Sequence, residues 1–269
     1  MPEGPSLIIA KEEMIVFKGK KVISVTGNTK IEKERLIGKK LIDIKTWGKH
    51  LLICFDTFTL KVHFLMFGKY LVNTQKDAVP RLSIQFKTGE INLYTCSVKI
   101  IEEPLDDIYD WSADVLSDLW NEKSARIKLK KIPETLVTDA LLDQNIFSGV
   151  GNIIKNEVLY RIKVHPYNKI GDLPPRKLTE MIREARNYSF DFLEWKKKFT
   201  LRKHWLVHTK KTCLRDGNKI VKEYLGKTNR RTFFCPHCQI IYGIIKSTQS
   251  KLLEPVKRRI NKTSYLKKV

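Results

Sequence analysis

The hydrophobic pattern of this chain switches from strand to helix period near residue 105, and no other feature constrains its fold as strongly. From about residue 20 to 103 the apolar residues come in short β-branched and aromatic stretches, at 21–25, 51–55, 60–64, 82–86 and 91–94, punctuated by Gly, Asp-Thr and Thr-Gly turns. Several short strands at this spacing predict a β-sandwich or barrel. Beyond Asp106 the apolar residues recur at helical spacing, and segments 116–131, 133–144, 152–162 and 178–199 read as helices with Pro133, Pro166 and Pro174-Pro175 as boundaries. Ahead of the strands, apolar residues from Leu7 to Ile15 follow a Ser6 that could cap, so a buried helix is expected almost at the start of the chain.

The third region is set by cysteines. Three of the five fall between Cys213 and Cys238, and with no secretory signal ahead of them they read as a metal clip in a reducing cytosol rather than as disulfides. The expected class is thus α+β and multidomain. An N-terminal helix plus β-sandwich is expected over 1–115, a helical domain over 116–205, a metal-clipped β-hairpin over 206–246 and a basic tail over 247–269.

Charge narrows the partner. Lys and Arg total 51 against 29 Asp and Glu, a formal +22 that needs a polyanion, and nucleic acid is the first candidate. No apolar run approaches the roughly 18 to 20 uninterrupted residues of a membrane helix, so the charge is not a topology signal and no membrane partner is expected. Charge alone suits a ribosomal or chromatin-type binder as well as an enzyme.

Chemistry separates the two. If an aminopeptidase removes Met1, Pro2 exposes a secondary amine whose pKa lies well below that of lysine, so a useful fraction is neutral near pH 7. Such an amine can attack C1′ of a deoxyribose and form an iminium, displacing the base. Glu3, next in line, could protonate the sugar ring oxygen. Read plainly, Pro2-Glu3-Gly4-Pro5 is an extended lead into a helix.

Five separated motifs together resemble the formamidopyrimidine-DNA glycosylase and endonuclease VIII family, up to about residue 246 and closer to the endonuclease VIII branch. Pro2-Glu3-Gly4-Pro5 is similar to that branch's start; the resemblance makes Pro2 the Schiff-base nucleophile and Glu3 the proton donor. The stretch from Trp47 through Gly48, Lys49 and His50 resembles the Gly-Lys hairpin whose lysine contacts the phosphate near the lesion, which implies that role for Lys49. The run His63-Phe64-Leu65-Met66-Phe67-Gly68 resembles a loop that opens on a phosphate-side histidine, here His63, and carries an apolar wedge, here Met66 with Leu65 and Phe67 beside it.

The run from Leu141 to Glu157, with Gly149-Val150-Gly151-Asn152 at its centre, looks like the helix-two-turn-helix signature and is the most specific of the five. Glycines there allow backbone angles that other residues resist, and amides at the next helix start are expected to face outward onto a phosphate, with Asn152 adding its side chain. Last, Cys213-Leu214-Arg215-Asp216 and Cys235-Pro236-His237-Cys238 resemble the family's zinc-ribbon hairpin but depart from it at Asp216, which stands where the second cysteine of a Cys-x-x-Cys pair is usual. Cys213, Asp216, Cys235 and Cys238 form a reasonable tetrahedral set for one structural zinc ion, with His208 as the competing fourth ligand and His237 weaker. Arg230 sits where the resemblance places a phosphate-binding arginine, with Arg231 as the fallback.

The function these motifs imply is excision of oxidised bases, with a lean toward pyrimidines, from damaged double-stranded DNA, followed by strand cleavage through β/δ-elimination. A monomer in the bacterial cytosol or nucleoid is expected, with no redox cofactor and no catalytic metal. Ser6, where the family commonly has glutamate, keeps open an inactive or altered member that only binds damaged DNA. An RNA-associated zinc-ribbon protein would explain the charge and cysteines but leaves Pro2 and the glycine turn without a task.

Overall fold

The computed structural model describes residues 2–243, so the basic tail expected over 247–269 lies outside the described residues. Helix α1 runs over Gly4–Met14, with Pro5 in its first turn. Ser6 therefore lies inside the helix and does not cap it; Pro5 suits the first turn because its missing N–H would have no intrahelical partner there. Leu7, Ala10 and Met14 bury the inner face of α1.

Six antiparallel strands follow: β1 (Val22–Thr26), β2 (Asp43–Trp47), β3 (His50–Cys54), β4 (Thr59–Val72), β5 (Leu82–Phe86) and β6 (Gly89–Ile101). Their hydrogen-bonded order is β1-β5-β6-β4-β3-β2. Strands β4 and β6 span 14 and 13 residues, far longer than the expected segments, because each belongs to both layers of the sandwich. Between Phe64 and Lys69 of β4 the pairing with β6 slips, and Thr95 opposite takes a left-handed φ of 50°. This bulge bends both strands, so that one continuous sheet wraps a single core containing Leu51, Ile53, Leu60, Ile84, Ile91 and Leu93. The free edges meet as well, since Gly38, Lys39 and Leu41, ahead of β2, exchange backbone hydrogen bonds with Lys20 and Val22.

The helical unit has its own core. After the short α2 (Leu105–Ile108) come α3 (Glu122–Lys130), α4 (Val137–Leu142), α5 (Asn152–Arg161) and α6 (Pro175–Lys197). Helix α3 begins later than expected because the Asn121 side chain accepts the Lys123 and Ser124 amides at 2.9 and 3.0 Å, an N-cap that fixes the start. Helix α4 is shorter than expected because Leu136 is extended and bridges to Lys169. Along α6, Leu178, Met181, Ile182, Ala185, Tyr188 and Phe192 recur at three and four residues and meet Ile154 and Val158 of α5. Burying each large side chain of that stripe contributes about 1.5–3 kcal/mol.

Strands β7 (Val221–Leu225) and β8 (Arg230–Phe234) form the C-terminal hairpin. Its turn is pinned to the helical unit by Asp139 of α4, whose carboxylate accepts the Lys227 amide at 3.0 Å. Gly226 must lack a side chain here: its φ is +77°, and a Cβ would stand 2.2 Å from Asp139 Oδ1.

Candidate active site and metal centre

Three glycine-bearing turns from distant parts of the chain converge backbone against backbone. The Gly4 amide donates to the Gly149 carbonyl at 2.9 Å. A Cβ on Gly48 would fall 2.0 Å from Ser148 Oγ, and one on Gly4 2.9 Å from Gly149 Cα. Gly48 is further fixed by Asp114, whose buried carboxylate accepts the Gly48 amide at 2.8 Å and the Leu116 amide at 2.9 Å. The convergence brings the N-terminal segment and the Lys49 hairpin to the start of α5.

Glu3 occupies the centre of this junction. It is 3% exposed, and its carboxylate accepts the amides of Ile153 at 2.7 Å and of Gly151 and Ile154 at 3.2 Å each. The anion site at the α5 N-terminus therefore holds a carboxylate of the chain itself, where outward-facing amides were expected. Gly151 owes its identity to the same contact and not to a special backbone angle: its φ is −119°, but a Cβ would stand 2.3 Å from Glu3 Cδ. Burial pushes the Glu3 carboxyl pKa up, while the Lys49 charge and the three amides pull it down. Burial likewise lowers the Lys49 ammonium, with Glu3 opposing and Arg230 reinforcing that shift.

Pro2 and Ser6 line a cleft of about 1170 Å³ between the two units, together with Met66, Tyr70, Phe192 and Trp205. Met66 and Phe67 project from the β4 bulge with 58% and 82% of their surface exposed, an unusual placement for side chains of this size. His63 pairs with His50 of β3 across the sheet, and burial holds both rings below the ordinary histidine pKa, His50 at about 4.

On the other side of Glu3, Asn152 Nδ2 donates to the Arg231 carbonyl at 2.8 Å, tying α5 to β8. Arg230 opens β8 and lies close enough to Lys49 for its charge to lower the lysine. Pro2, Glu3, Lys49, Asn152 and Arg230 are thus gathered at one junction, with His63 and Met66 on the β-sandwich side. Sequence reasoning missed Asp114, Lys155 and Glu157. Glu157 accepts the amides of Leu206, Val207 and His208 and so holds the lead into the hairpin. The one available signal was polarity inside a helix: Lys155, Asn156 and Glu157 are buried in a segment where every residue from 154 to 160 is buried.

In the hairpin, one donor atom each from Cys213, Asp216, Cys235 and Cys238 lies within 4.8 Å of the others, a group able to bind a metal ion. The Cys213 and Cys238 sulfurs are 3.7 Å apart. Two thiolates on a tetrahedral ion with bonds of about 2.3 Å would stand about 3.8 Å apart, so the donors fit. Asp216 Oδ2 lies 3.2 Å from Cys235 Sγ, and donors from Cys213 and the Asn218 amide hold its carboxyl down at about 2. His208 lies outside this group, with its Nδ1 facing Asn156 Nδ2 at 3.0 Å. His237 is exposed and outside the group.

A model of the formamidopyrimidine-DNA glycosylase N-terminal domain matches residues 1–97, and one of the formamidopyrimidine-DNA glycosylase H2TH domain matches residues 112–191. The chain belongs to the formamidopyrimidine-DNA glycosylase and endonuclease VIII family. Endonuclease 8-like 3 of Mus musculus is 31% identical over 205 residues, 73% of this chain and 34% of its own length. Formamidopyrimidine-DNA glycosylase of Lactobacillus helveticus (strain DPC 4571) is 29% identical over 283 residues, 90% of this chain and all of its own. The chain spans about a third of the length of the endonuclease 8-like 3 relatives it matches. Its fold is similar to the crystal structure of a viral DNA glycosylase, with a TM-score of 0.77 and 22% identity over 88% of this chain and 100% of that one. It is equally similar to Lactococcus lactis formamidopyrimidine-DNA glycosylase non-covalently bound to DNA containing an AP site, with a TM-score of 0.77 and 23% identity over 88% and 99% of the two chains. Among the described residues no helix is long and apolar enough to cross a membrane.

Proposed function

We propose that this chain excises oxidised bases, pyrimidines foremost, from damaged duplex DNA and then nicks the strand, with Pro2 as nucleophile after loss of Met1. The observation that carries this reading is the placement of Glu3: a buried carboxylate held by three amides, next in chain to Pro2, which lines a cleft rimmed by exposed Met66. Rigid placement of a proton donor beside a nucleophile is what attack on a sugar carbon requires.

A target nucleotide must leave the stack, at a cost of a few kcal/mol. Met66 and Phe67 would fill the vacancy, and Lys49, Asn152, Arg230 and His63 would hold the phosphates of the bent strand. The Pro2 nitrogen then attacks C1′ with its lone pair and the C1′–base bond breaks, the base leaving with the bonding pair and taking up the proton that the newly substituted nitrogen sheds. Glu3 protonates the ring oxygen as the sugar opens to the iminium. Loss of a C2′ proton expels the 3′ phosphate by β-elimination, and a second elimination expels the 5′ phosphate; water finally releases the sugar remnant from Pro2.

The metal group is proposed to hold one structural zinc through Cys213, Asp216, Cys235 and Cys238, stiffening the hairpin that carries Arg230; no reaction step passes through it. Ser6 supports a second reading, an altered or inactive member that only binds damaged DNA, because it lines the cleft beside Pro2 where the family commonly has glutamate. Incubation with duplexes carrying single defined lesions decides: release of an oxidised pyrimidine with strand scission is expected, whereas binding without release from any oxidised base favours the second reading. Monomeric action in the cytosol belongs to the same proposal.

A further inference from the structure

Lys155 is a lysine with no exposed surface, inside α5, and the chemistry described above leaves it without a task. Its ammonium donates to Asn152 Oδ1 at 2.9 Å and Thr232 Oγ1 at 2.8 Å, and approaches the Arg231 carbonyl at 3.5 Å. All three acceptors are neutral, and among the described residues Lys155 forms no ion pair. A buried charge whose hydrogen-bond partners are all neutral is costly, and an anion brought near it would favour its charged form.

The contacts also fix a direction. With Asn152 Oδ1 taken by Lys155, the amide must present Nδ2 on its other side, beside the Arg231 carbonyl and hence beside Arg230. We propose that Lys155 is a positioning residue for DNA phosphate: it orients the Asn152 amide, locks β8 and its Arg230 to the start of α5, and lends its own positive charge to the clamp from behind. This rests on the proposed phosphate role of Asn152 and Arg230.

The electrostatics agree with that geometry. Burial pushes the Lys155 ammonium down to about 7; Glu3 and Asp139 oppose the shift and Arg230 adds to it. His208 also faces Lys155 and is held neutral at about 4, so it does not titrate between pH 6.5 and 8.5. Around Lys155 the carboxylates of Glu3 and Asp139 thus face the guanidinium of Arg230, and Lys49 stands on the far side of Glu3. A phosphate at the clamp favours protonated Lys155, so affinity should fall as pH rises from 6.5 to 8.5.

The test measures binding of the full chain to a duplex containing a tetrahydrofuran abasic analogue, with no cleavage step. Lys155→Met should weaken binding about tenfold in the wild-type background but less than about twofold in an Asn152→Ala background, because much of the effect runs through that amide. It should also flatten the affinity profile between pH 6.5 and 8.5, which a packing defect would not do. Lys155→Gln keeps a donor without the charge and is measured in parallel, so that a variant that misfolds does not end the test; it should flatten the profile equally. Equal losses in both backgrounds, or variant pH profiles parallel to the wild type, overturn the inference alone. A wild-type chain that does not bind the duplex overturns both this inference and the function on which it rests.

Discussion

The Glu3 carboxylate accepts the Ile153 amide at 2.7 Å across 150 residues of chain, so the first turn of α5 fixes a side chain near the N-terminus. Proton donation is the property of that carboxylate which an amide cannot imitate. Glu3→Gln should therefore keep the fold and DNA binding yet lose base excision by about 10²-fold or more, with single-turnover release of an oxidised pyrimidine as the measurement. Excision at the wild-type rate would remove Glu3 from the chemistry.

Gly151 is the residue that lets Glu3 approach. With a methyl group due 2.3 Å from Glu3 Cδ, Gly151→Ala must push Glu3 out or shift α5. The expected loss is about 1–3 kcal/mol of stability, read from chemical denaturation, together with excision reduced well beyond that of a Gly38→Ala control. Gly38 has nothing within 4 Å of its missing Cβ, so the control reports only the strain of its φ of +77°.

Met66 and Phe67 contribute little to folding, given their exposure of 58% and 82%. Replacing both with Ala should leave the thermal midpoint nearly unchanged while weakening binding to abasic-analogue duplex about tenfold or more, with a smaller effect on undamaged duplex. A matching loss on both duplexes would make these side chains general DNA contacts and not a wedge.

The metal group makes a stoichiometric prediction. Elemental analysis of the purified chain should find one zinc per molecule; Asp216→Ala should weaken retention against a chelator, Asp216→Cys should strengthen it, and His208→Ala should leave it unchanged. Zinc lost on His208→Ala and kept on Asp216→Ala would reverse the ligand assignment.

How much of this was legible in the sequence follows from how local each signal is. Strand β5 was visible because a compact apolar run ends at a Thr-Gly turn, and α5 because it starts directly after a glycine pair. Strand β2 was not, since only Ile44 and Trp47 of its five residues are buried and Asp43, Lys45 and Thr46 mask them. The roles of Asp114 and Lys155 depend on partners 66 and 77 residues away, which no local pattern records. Glu3 is the instructive case: its identity pointed to acid chemistry, but that it would occupy the amides reserved for a phosphate emerged only once Gly4, Gly48 and Gly149 were seen packed together.

Borohydride reduction during incubation with abasic-site DNA reports whether Pro2 is the nucleophile, because it converts a Schiff base into a permanent bond. The expected product is a covalent protein–DNA complex whose N-terminal peptide begins at Pro2 and carries the sugar remnant on its first nitrogen, with a Pro2→Gly variant trapping far more weakly. A chain that retains Met1, or a cross-link that maps to a lysine with Pro2 unmodified, would contradict it.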